Sequence, residues 1–251
     1  MLLVDALGAR REKVIVLVGG GGKTTTMYRL GRELSDLGDK VVVTTTTRIN
    51  MPGSDEVHCT IIADDRAKLL SSIRDNAPSC RIAGVGFDVF EDGKLKGIPP
   101  EWVAEVAGLV DHVVVEADGA AEKPFKAPAD YEPVIPDCAD LVVAVVGVEV
   151  VGLTLARENV HRPERIQAIT GLAIGEVVTP AVVAEVLLHP RGITKGAPDG
   201  SRVVVLINKV EDDVRLDAAR EIGRLLLQGG IERVVIARVR DDPPVIEAME
   251  K

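Results

Sequence analysis

Short apolar runs alternate with amphipathic segments along most of this chain. Residues 14–18 form an apolar, mostly β-branched run that ends at glycine, which is typical of a buried parallel strand. Apolar residues then recur at helical spacing before Gly38, a helix stop. These residues are Met27, Leu30, Leu34 and Leu37. The pattern therefore predicts a buried strand followed by an amphipathic helix.

The same alternation continues to the end of the chain and predicts an α/β fold. Further strands are predicted at residues 40–43, 57–62, 81–85, 112–115, 141–146, 203–207 and 234–237. Helices are predicted at about residues 64–76, 99–109, 179–188 and 216–226. An Asp-Gly pair indicates a small β-hairpin insertion at about 86–98. We expect a single domain over residues 1–251, with a doubly wound, mostly parallel sheet and helices on both faces.

The residues between the first strand and the first helix carry the strongest functional signal. Four successive glycines allow positive φ values and let backbone N–H groups point at an anion. The helix N-terminus adds partial positive charge. Lys23 would neutralise phosphate groups, and the Thr24 hydroxyl would hold Mg²⁺. This order predicts a P-loop that binds nucleotide through Gly19, Gly20, Gly21, Gly22, Lys23, Thr24 and Thr25.

The loop fits the variant G-G-x-G-K-[ST]-T better than the general pattern G-x-x-x-x-G-K-[ST]. Leu17 stands where the general pattern has its first glycine. The variant resembles the P-loop class of signal-recognition, MinD-like and biotin-synthesis enzymes. Many of those proteins carry a lysine just before the two glycines, but Val18 stands there in this chain. A MinD-type dimer that shares lysines is therefore not expected.

Acidic residues follow the predicted strand at 112–115. Glu116 and Asp118 lie where an open α/β sheet places its ligand crevice, and Gly119 permits close approach to a phosphate. Carboxylate oxygens suit Mg²⁺ directly or through water. We interpret this segment as a Walker B and switch region. Its expected metal ligands are Thr24 and Glu116, and its expected catalytic residues are Lys23, Glu116 and Asp118.

The segment Asn208-Lys209-Val210-Glu211-Asp212 follows a predicted strand. It resembles the N-K-x-D motif with which GTPases recognise guanine. Asn208, Lys209 and Glu211 are therefore predicted nucleotide-binding residues. Because Glu211 stands in the acidic position and Asp212 follows it, either carboxylate could meet the base. The choice between ATP and GTP stays open.

Other polar residues cluster in predicted loops. Thr44–Thr47 and Arg48 end the second strand, where their side chains could position phosphate or a Mg²⁺-bound water. A long Pro-containing and Lys-containing connection covers residues 120–136, and loops of that length are usually functional or disordered. Lysines in this connection and in a later glycine-containing loop are candidates for binding an anion, as is a His-Arg pair before a helix. These residues are Lys123, Lys126, Lys195, His161 and Arg162.

Composition limits the classes of partner. The net charge of −9 argues against nucleic acid or an anionic membrane. The longest apolar stretch, Leu141–Leu153, is too short to span a bilayer. Cys59, Cys80 and Cys138 form no metal or redox motif, so we expect free core thiols and a cytoplasmic location.

The chain as a whole resembles the YqeC-type accessory proteins of selenium-dependent molybdenum hydroxylases. The resemblance rests on Gly-Gly-Gly-Gly-Lys-Thr-Thr, the four threonines, Val-Glu-Ala-Asp-Gly-Ala, His-Arg-Pro-Glu and Leu-Ile-Asn-Lys-Val. Its most distinctive segment is Lys-Pro-Phe-Lys-Ala-Pro-Ala-Asp-Tyr-Glu-Pro-Val-Ile-Pro. Membership implies a cytoplasmic nucleotide-binding protein that helps to mature a molybdenum hydroxylase or its cofactor.

The leading hypothesis from the sequence is a Mg²⁺-dependent ATPase or GTPase that acts in this maturation. A small-molecule kinase or ligase similar to dethiobiotin synthetase shares the loop type and the strand-end glutamate. A non-catalytic module, in which nucleotide binding controls docking on a hydroxylase, is a third possibility. The oligomeric state is not indicated by the sequence.

Overall fold

The computed structural model describes residues 1–76 and 79–251, and it contains the predicted α/β alternation. The strands are β1 (Val14–Gly19), β2 (Val41–Thr45), β3 (Arg48–Ile49), β4 (Cys59–Ile62), β5 (Ile82–Gly86), β6 (Asp88–Val89), β7 (Leu95–Lys96), β8 (His112–Glu116), β9 (Leu141–Gly147), β10 (Arg202–Asn208), β11 (Arg233–Ala237) and β12 (Val245–Glu250). The helices are α1 (Leu3–Ala6), α2 (Lys23–Asp36), α3 (Arg66–Asn76), α4 (Val103–Ala107), α5 (Pro163–Thr170), α6 (Pro180–Leu188) and α7 (Asp213–Gln228).

Among the described residues, nine strands form one sheet in the order β12-β11-β10-β9-β1-β8-β2-β5-β4. All neighbouring pairs are parallel except β11 with β12. The hairpin of β6 and β7 joins β3 in a separate three-stranded antiparallel sheet. The predicted doubly wound sheet and its hairpin insertion are confirmed. The edge strand β12 was not predicted, because it carries alternating exposed and partly buried residues rather than an apolar run.

Helices cover both faces of the sheet because alternate residues of its central strands point to opposite sides. Val14, Val16 and Val18 pack with apolar residues of α3, α4, α6 and α7. Ile15 and Leu17 pack instead with residues of α1 and α2. A strand that is apolar on both faces is buried on both, as its sequence predicts.

The register of the central strands brings their carboxyl ends together. Leu17 of β1 pairs with Glu116 of β8, and Glu116 pairs on its other side with Thr45 of β2. On the opposite side of β1, Gly19 pairs with Val145 of β9. The glycines that follow β1 therefore lie at the same sheet edge as the acidic end of β8.

The cysteines do not follow the prediction of three free thiols, which is wrong for two of them. Cys59 and Cys80 form a disulfide bond with a Cα–Cα distance of 6.0 Å, whereas Cys138 is free and half-buried. The two lie 21 residues apart and come together because β4 pairs with β5. Spacing alone gave no sign of this pairing. The cytoplasmic location stays a prediction without support from these two residues.

Candidate functional site

Residues 19–22, which we call the glycine loop, connect β1 to α2. Gly19, Gly21 and Gly22 have φ values of 98°, 75° and 119°, a region that residues with side chains rarely adopt. A Cβ atom at Gly20 would lie 2.7 Å from the carbonyl oxygen of Lys123. The loop therefore requires glycine both for its backbone shape and for the close packing around it.

The first three amides of the glycine loop donate to acceptors within the protein. The pairs are Gly19 N with the Asp118 carboxylate, Gly20 N with Val145 O, and Gly21 N with Lys123 O. The next amides begin α2, and the first four N–H groups of a helix have no intrahelical acceptor. A phosphate at this loop would therefore be met by the amides of residues 22–25, where the helix dipole is also favourable.

Three predicted residues meet at the end of the glycine loop. The Thr24 hydroxyl donates a hydrogen bond of 2.7 Å to Glu116 Oε2. Lys23 Nζ lies 3.6 Å from Glu116 Oε1 and 3.3 Å from Asp118 Oδ1, and it donates to Gly19 O at 2.6 Å. The hydroxyl, the ammonium group and the two carboxylates thus form one compact cluster.

Burial and mutual charge shift the pKa values of this cluster. Burial disfavours the charged form of Lys23, but Asp118 and Glu116 outweigh it, so the pKa of Lys23 is raised. The pKa of Glu116 is also raised, because its burial outweighs the opposing effects of Lys23 and Thr24. A cation placed beside Glu116 would favour its ionised form.

Asp118 belongs to a longer series of ion pairs that leads away from the glycine loop. Its Oδ2 lies 3.0 Å from Lys126 Nζ, and both side chains are fully buried. Lys126 Nζ in turn lies 2.7 Å from Glu132 Oε2, and Arg162 donates to Glu132 Oε1 at 3.1 Å. We call Lys23, Glu116, Asp118, Lys126, Glu132 and Arg162 the buried charge network.

Side chains of the buried charge network hold the long connection between β8 and β9 in place. Lys126 and Glu132 belong to that connection, and Lys195 Nζ holds it from outside by donating to Ala129 O and Asp130 O. Lys123 Nζ donates to Glu158 O. These lysines, which the sequence suggests as anion-binding groups, therefore donate to acceptors within the protein, and of the three only Lys123 lines the cleft described below.

Asn208 ties two segments of the site together. Its Nδ2 donates to Gly21 O at 2.9 Å, and its Oδ1 accepts from Val239 N at 3.0 Å. The side chain is buried and lies 2.6 Å from the position that a Cβ atom of Gly22 would take. Asn208 therefore bridges the glycine loop and the segment that follows β11.

The two acidic residues after Lys209 have different positions. Asp212 caps α7, since its carboxylate accepts from Arg215 N at 2.8 Å. Glu211 lines the cleft beside the glycine loop and pairs with the Arg215 guanidinium group. Lys209, at a φ of 65°, pairs with Glu149 across the same cleft. Of the two carboxylates that the sequence left open, only that of Glu211 lines this cleft.

The cleft at this sheet edge has a volume of about 710 Å³, within the range of small-molecule sites. Its lining includes Gly21, Gly22, Lys23, Thr24, Thr25, Glu116, Asn208, Lys209 and Glu211. Asp118 is fully buried and does not line it. Eight lysines or arginines line the cleft against five acidic residues, although the whole chain carries a net charge of −9. The local excess of positive charge suits an anion.

Four of the lining cations are not predicted from the sequence, and these are Lys94, Arg215, Arg238 and Arg240. Lys94 lies in the hairpin, Arg215 lies in α7, and Arg238 and Arg240 follow β11. None stands in a recognisable motif, so no local signal could have identified them. They reach the cleft because the strand order brings the ends of β2, β10 and β11 to one edge.

The four threonines at the end of β2 do not line the cleft. The hydroxyls of Thr44, Thr45 and Thr46 donate to the carbonyl oxygens of Val85, Glu116 and Val134. Thr47 N donates to Thr45 Oγ1. The predicted role in phosphate or water binding is not supported, because these hydroxyls stabilise the strand end. Arg48, which follows them, does line the cleft.

The Thr24 hydroxyl and the Glu116 carboxylate are too few ligands for a metal ion that is coordinated by protein alone, but they suit Mg²⁺. Within the described part of the chain, no group of three or more His, Cys, Asp or Glu side chains is placed to hold a metal ion. Thr24 and Glu116 offer one hydroxyl and one carboxylate, and Mg²⁺ commonly takes its remaining ligands from water and phosphate oxygens.

Among the described helices, none combines the length and the apolar character that a membrane span requires.

With this geometry established, comparison with known proteins identifies the family. Residues 15–164 match the family model described as YqeC protein. The chain belongs to the YqeC family. It is 30% identical over 248 residues to the uncharacterized protein YqeC of Escherichia coli (strain K12), a match that covers 97% of this chain and 94% of that protein.

The range that matches the family model contains most of the site. It includes the glycine loop, Glu116 and the connection that carries Lys126 and Glu132, whereas Asn208 lies beyond it. The family match therefore covers the buried charge network, and the Asn208 side of the cleft comes from the rest of the chain.

Proposed function

We propose that this protein binds a Mg²⁺–nucleoside triphosphate in the cleft and hydrolyses its terminal phosphoryl group. The observation that carries the proposal is the 2.7 Å hydrogen bond between Thr24 and Glu116, beside Lys23 at the start of α2. A hydroxyl, a carboxylate and an ammonium group at a glycine-loop helix are the groups that a Mg²⁺-bound phosphate requires. Cations that line the cleft on the side of Asn208, which include Lys209, Arg238 and Arg240, support the same ligand class.

Each residue has a distinct role in this proposal. The amides of residues 22–25 and the Lys23 ammonium group would offset phosphate charge, and Thr24 and Glu116 would hold Mg²⁺. The metal supplies positive charge to the terminal phosphates when it is bound. In hydrolysis a water oxygen forms a bond to the terminal phosphorus, the bond to the bridging oxygen breaks, and nucleoside diphosphate leaves.

We assign Asp118 a positioning role in place of the direct catalytic role suggested by the sequence. It is fully buried, accepts from Gly19 N at 3.1 Å and lies 3.3 Å from Lys23 Nζ. Its carboxylate therefore orients the glycine loop and the lysine rather than a water molecule in the cleft.

The nucleoside is proposed to lie on the side of β10. Asn208 fixes the backbone there, Lys209 lines the cleft with a partly exposed side chain, and Glu211 is the carboxylate of this motif that lines the cleft. A preference for GTP over ATP would support recognition of guanine by Glu211. From the resemblance to YqeC-type accessory proteins, we propose that the protein acts in the maturation of a selenium-dependent molybdenum hydroxylase.

The test is phosphate release by Lys23→Ala. We expect turnover to fall by about 100-fold or more, because a charge that stabilises the transition state is lost, while the circular dichroism spectrum is retained. Lys68→Ala, which removes an exposed lysine of α3 outside the cleft, is the matched control. Unchanged turnover in Lys23→Ala would rule out the mechanism. Tight nucleotide binding without turnover in the wild type would instead favour a docking module.

A kinase or ligase is the second candidate, and one observation favours it. The cleft continues past Glu116 to Arg48 and Lys94, on the side of β8 away from Asn208. Transfer of the phosphoryl group to a small molecule rather than to water would distinguish this function from hydrolysis.

A further inference from the structure

The cleft has two ends, which lie on opposite sides of the glycine loop. In the sheet order, β10 is two strands from β1 on one side, and β2 is two strands from β1 on the other. Since neighbouring strands lie about 4.8 Å apart, the axes of β10 and β2 each lie about 10 Å from the axis of β1, in opposite directions. A nucleoside at Asn208 with its phosphates at α2 would therefore leave the β2 end free.

The β2 end is formed by the hairpin and the segment that pairs with it. We call Arg48, Ile49, Asn50 and Lys94 the hairpin end of the cleft. Ile49 is buried and pairs with Leu95 in the small sheet, so it fixes the backbone from which Arg48 and Asn50 extend. Arg48 follows directly after the threonines whose hydroxyl and amide groups bind the Glu116 carbonyl oxygen. The hairpin end is thus anchored next to the end of β8.

The basic and acidic side chains of the hairpin and of the segment that pairs with it differ in whether they line the cleft. Arg48 and Lys94 line the cleft, whereas the hairpin carboxylates Asp88, Glu91 and Asp92 do not. Arg48 is held by an ion pair with Asp92 and by the ring of Phe90, whose centroid lies 4.8 Å from its Cζ. Among the described residues, no carboxylate lies within 4.0 Å of Lys94 Nζ.

We propose that the hairpin end binds an oxyanion group of a second substrate, beside the terminal phosphate of the nucleotide. This inference rests on the proposed nucleotide site and adds the chemical class of its co-substrate. Arg48 supplies a planar donor group that is already oriented, Lys94 supplies an unpaired ammonium group, and Asn50 supplies an amide. These groups match the acceptor oxygens of a phosphate or a carboxylate.

The experiment separates this site from the nucleotide site by filling the nucleotide site first. The protein is saturated with Mg²⁺ and a non-hydrolysable triphosphate analogue, and inorganic phosphate is then titrated in by calorimetry. We expect one phosphate to bind per chain with millimolar affinity. The double variant Arg48→Ala/Lys94→Ala should bind phosphate at least tenfold more weakly while it retains the affinity of the wild type for the analogue.

The matched control is Arg66→Ala. Like Arg48, Arg66 is an exposed arginine in an ion pair with one carboxylate, that of Glu105, but it lies on α3 outside the cleft. This variant should bind phosphate as the wild type does. A parallel titration with succinate distinguishes a phosphate-bearing substrate from a carboxylate-bearing one.

Two results would overturn the inference and leave the nucleotide site intact. One is binding of the analogue with no binding of either phosphate or succinate. The other is an equal affinity for the anion in the wild type and the double variant. If the analogue itself fails to bind, the proposed function fails and this inference falls with it.

Discussion

Charged side chains approach the glycine loop from two regions, and the regions differ in burial. In the buried charge network, Asp118 and Lys126 are fully buried and each contacts at least two oppositely charged groups. At the hairpin end, Arg48 has a single ion pair and is nearly half exposed, and Lys94 has no carboxylate within ion-pair distance among the described residues. Positive charge is thus matched in one region and in excess in the other.

This difference in burial distinguishes residues that position the site from residues that bind a ligand. A buried ion pair stabilises a structure only while both partners are present, so it fixes geometry. An exposed cation contributes little to stability, but it remains able to bind an incoming anion. We therefore expect substitutions in the network to reduce stability and substitutions at the hairpin end to reduce ligand affinity.

Replacement of Lys126 by Met should have the largest effect on stability. Asp118, which is fully buried, and Glu132, which is largely buried, would lose a shared cation, and loss of one partner of a buried pair costs about 3–5 kcal/mol. The measurement is the free energy of unfolding in urea. Lys123→Met, in the same connection, is the control and should cost less than about 1 kcal/mol, since the Lys123 ammonium group donates to the Glu158 carbonyl oxygen and forms no ion pair within the described residues. Equal losses in the two variants would contradict the distinction.

Acid should destabilise the folded protein by protonating Glu132 of the buried charge network. Burial would raise its pKa, but hydrogen bonds and charge from Arg162 and Lys126 outweigh this effect and lower the pKa to about 2. A lowered folded-state pKa gives stability that is present above the unfolded value of 4.5 and is lost as pH falls from there toward 2. The loss should be about 2 kcal/mol after allowance for solvent screening.

The variant Glu132→Gln should lack this acid dependence. Its free energy of unfolding should lie well below that of the wild type at pH 6, and the gap should shrink by about 2 kcal/mol at pH 2.5. Denaturant titrations at the two pH values measure the gap. A constant gap would show that Glu132 does not carry the acid-sensitive stability.

Substitution of a threonine at the end of β2 tests the same distinction between positioning and binding residues, with a smaller expected effect on stability. Thr45→Val removes a buried hydroxyl that donates to Glu116 O and accepts from Thr47 N, which should cost about 1–2 kcal/mol of stability. Nucleotide affinity should be unchanged, because Thr45 does not line the cleft. Thr60→Val, at an exposed position of β4, should change neither quantity. A large loss of affinity in Thr45→Val would restore the direct role predicted for the threonines.

The smallest effect on stability is expected at Lys94. The variant Lys94→Ala should unfold within about 0.5 kcal/mol of the wild type, as substitutions away from buried partners do. Thermal denaturation measures this difference. A loss of 2 kcal/mol or more would place Lys94 among the positioning residues and remove the contrast between the two regions.

The two regions also differ in how far the sequence predicted them. Lys23 and Thr24 are predicted from the order of strand, glycines, Lys-Thr and helix, and Glu116 is predicted from its place at the end of a buried strand. Each of these signals has a local physical cause. Lys126 and Arg162 were noticed only as single cations in loops. The ion pair of Arg162 with Glu132 joins residues that are 30 apart in the chain. The ion pairs of Lys126 depend on how the long connection folds around it, and no local pattern encodes either arrangement.

The sequence by itself determined the sheet, the hairpin and the glycine loop, because hydrophobic period, glycine conformation and helix capping act over a few neighbouring residues. Tertiary structure alone decided that Asp118 is buried and that the threonines bind carbonyl oxygens of other segments. It also decided that Cys59 bonds to Cys80 and that Lys94 and Arg240 line the cleft. The reason is that burial and partner choice depend on strand order, which brings together residues distant in the chain.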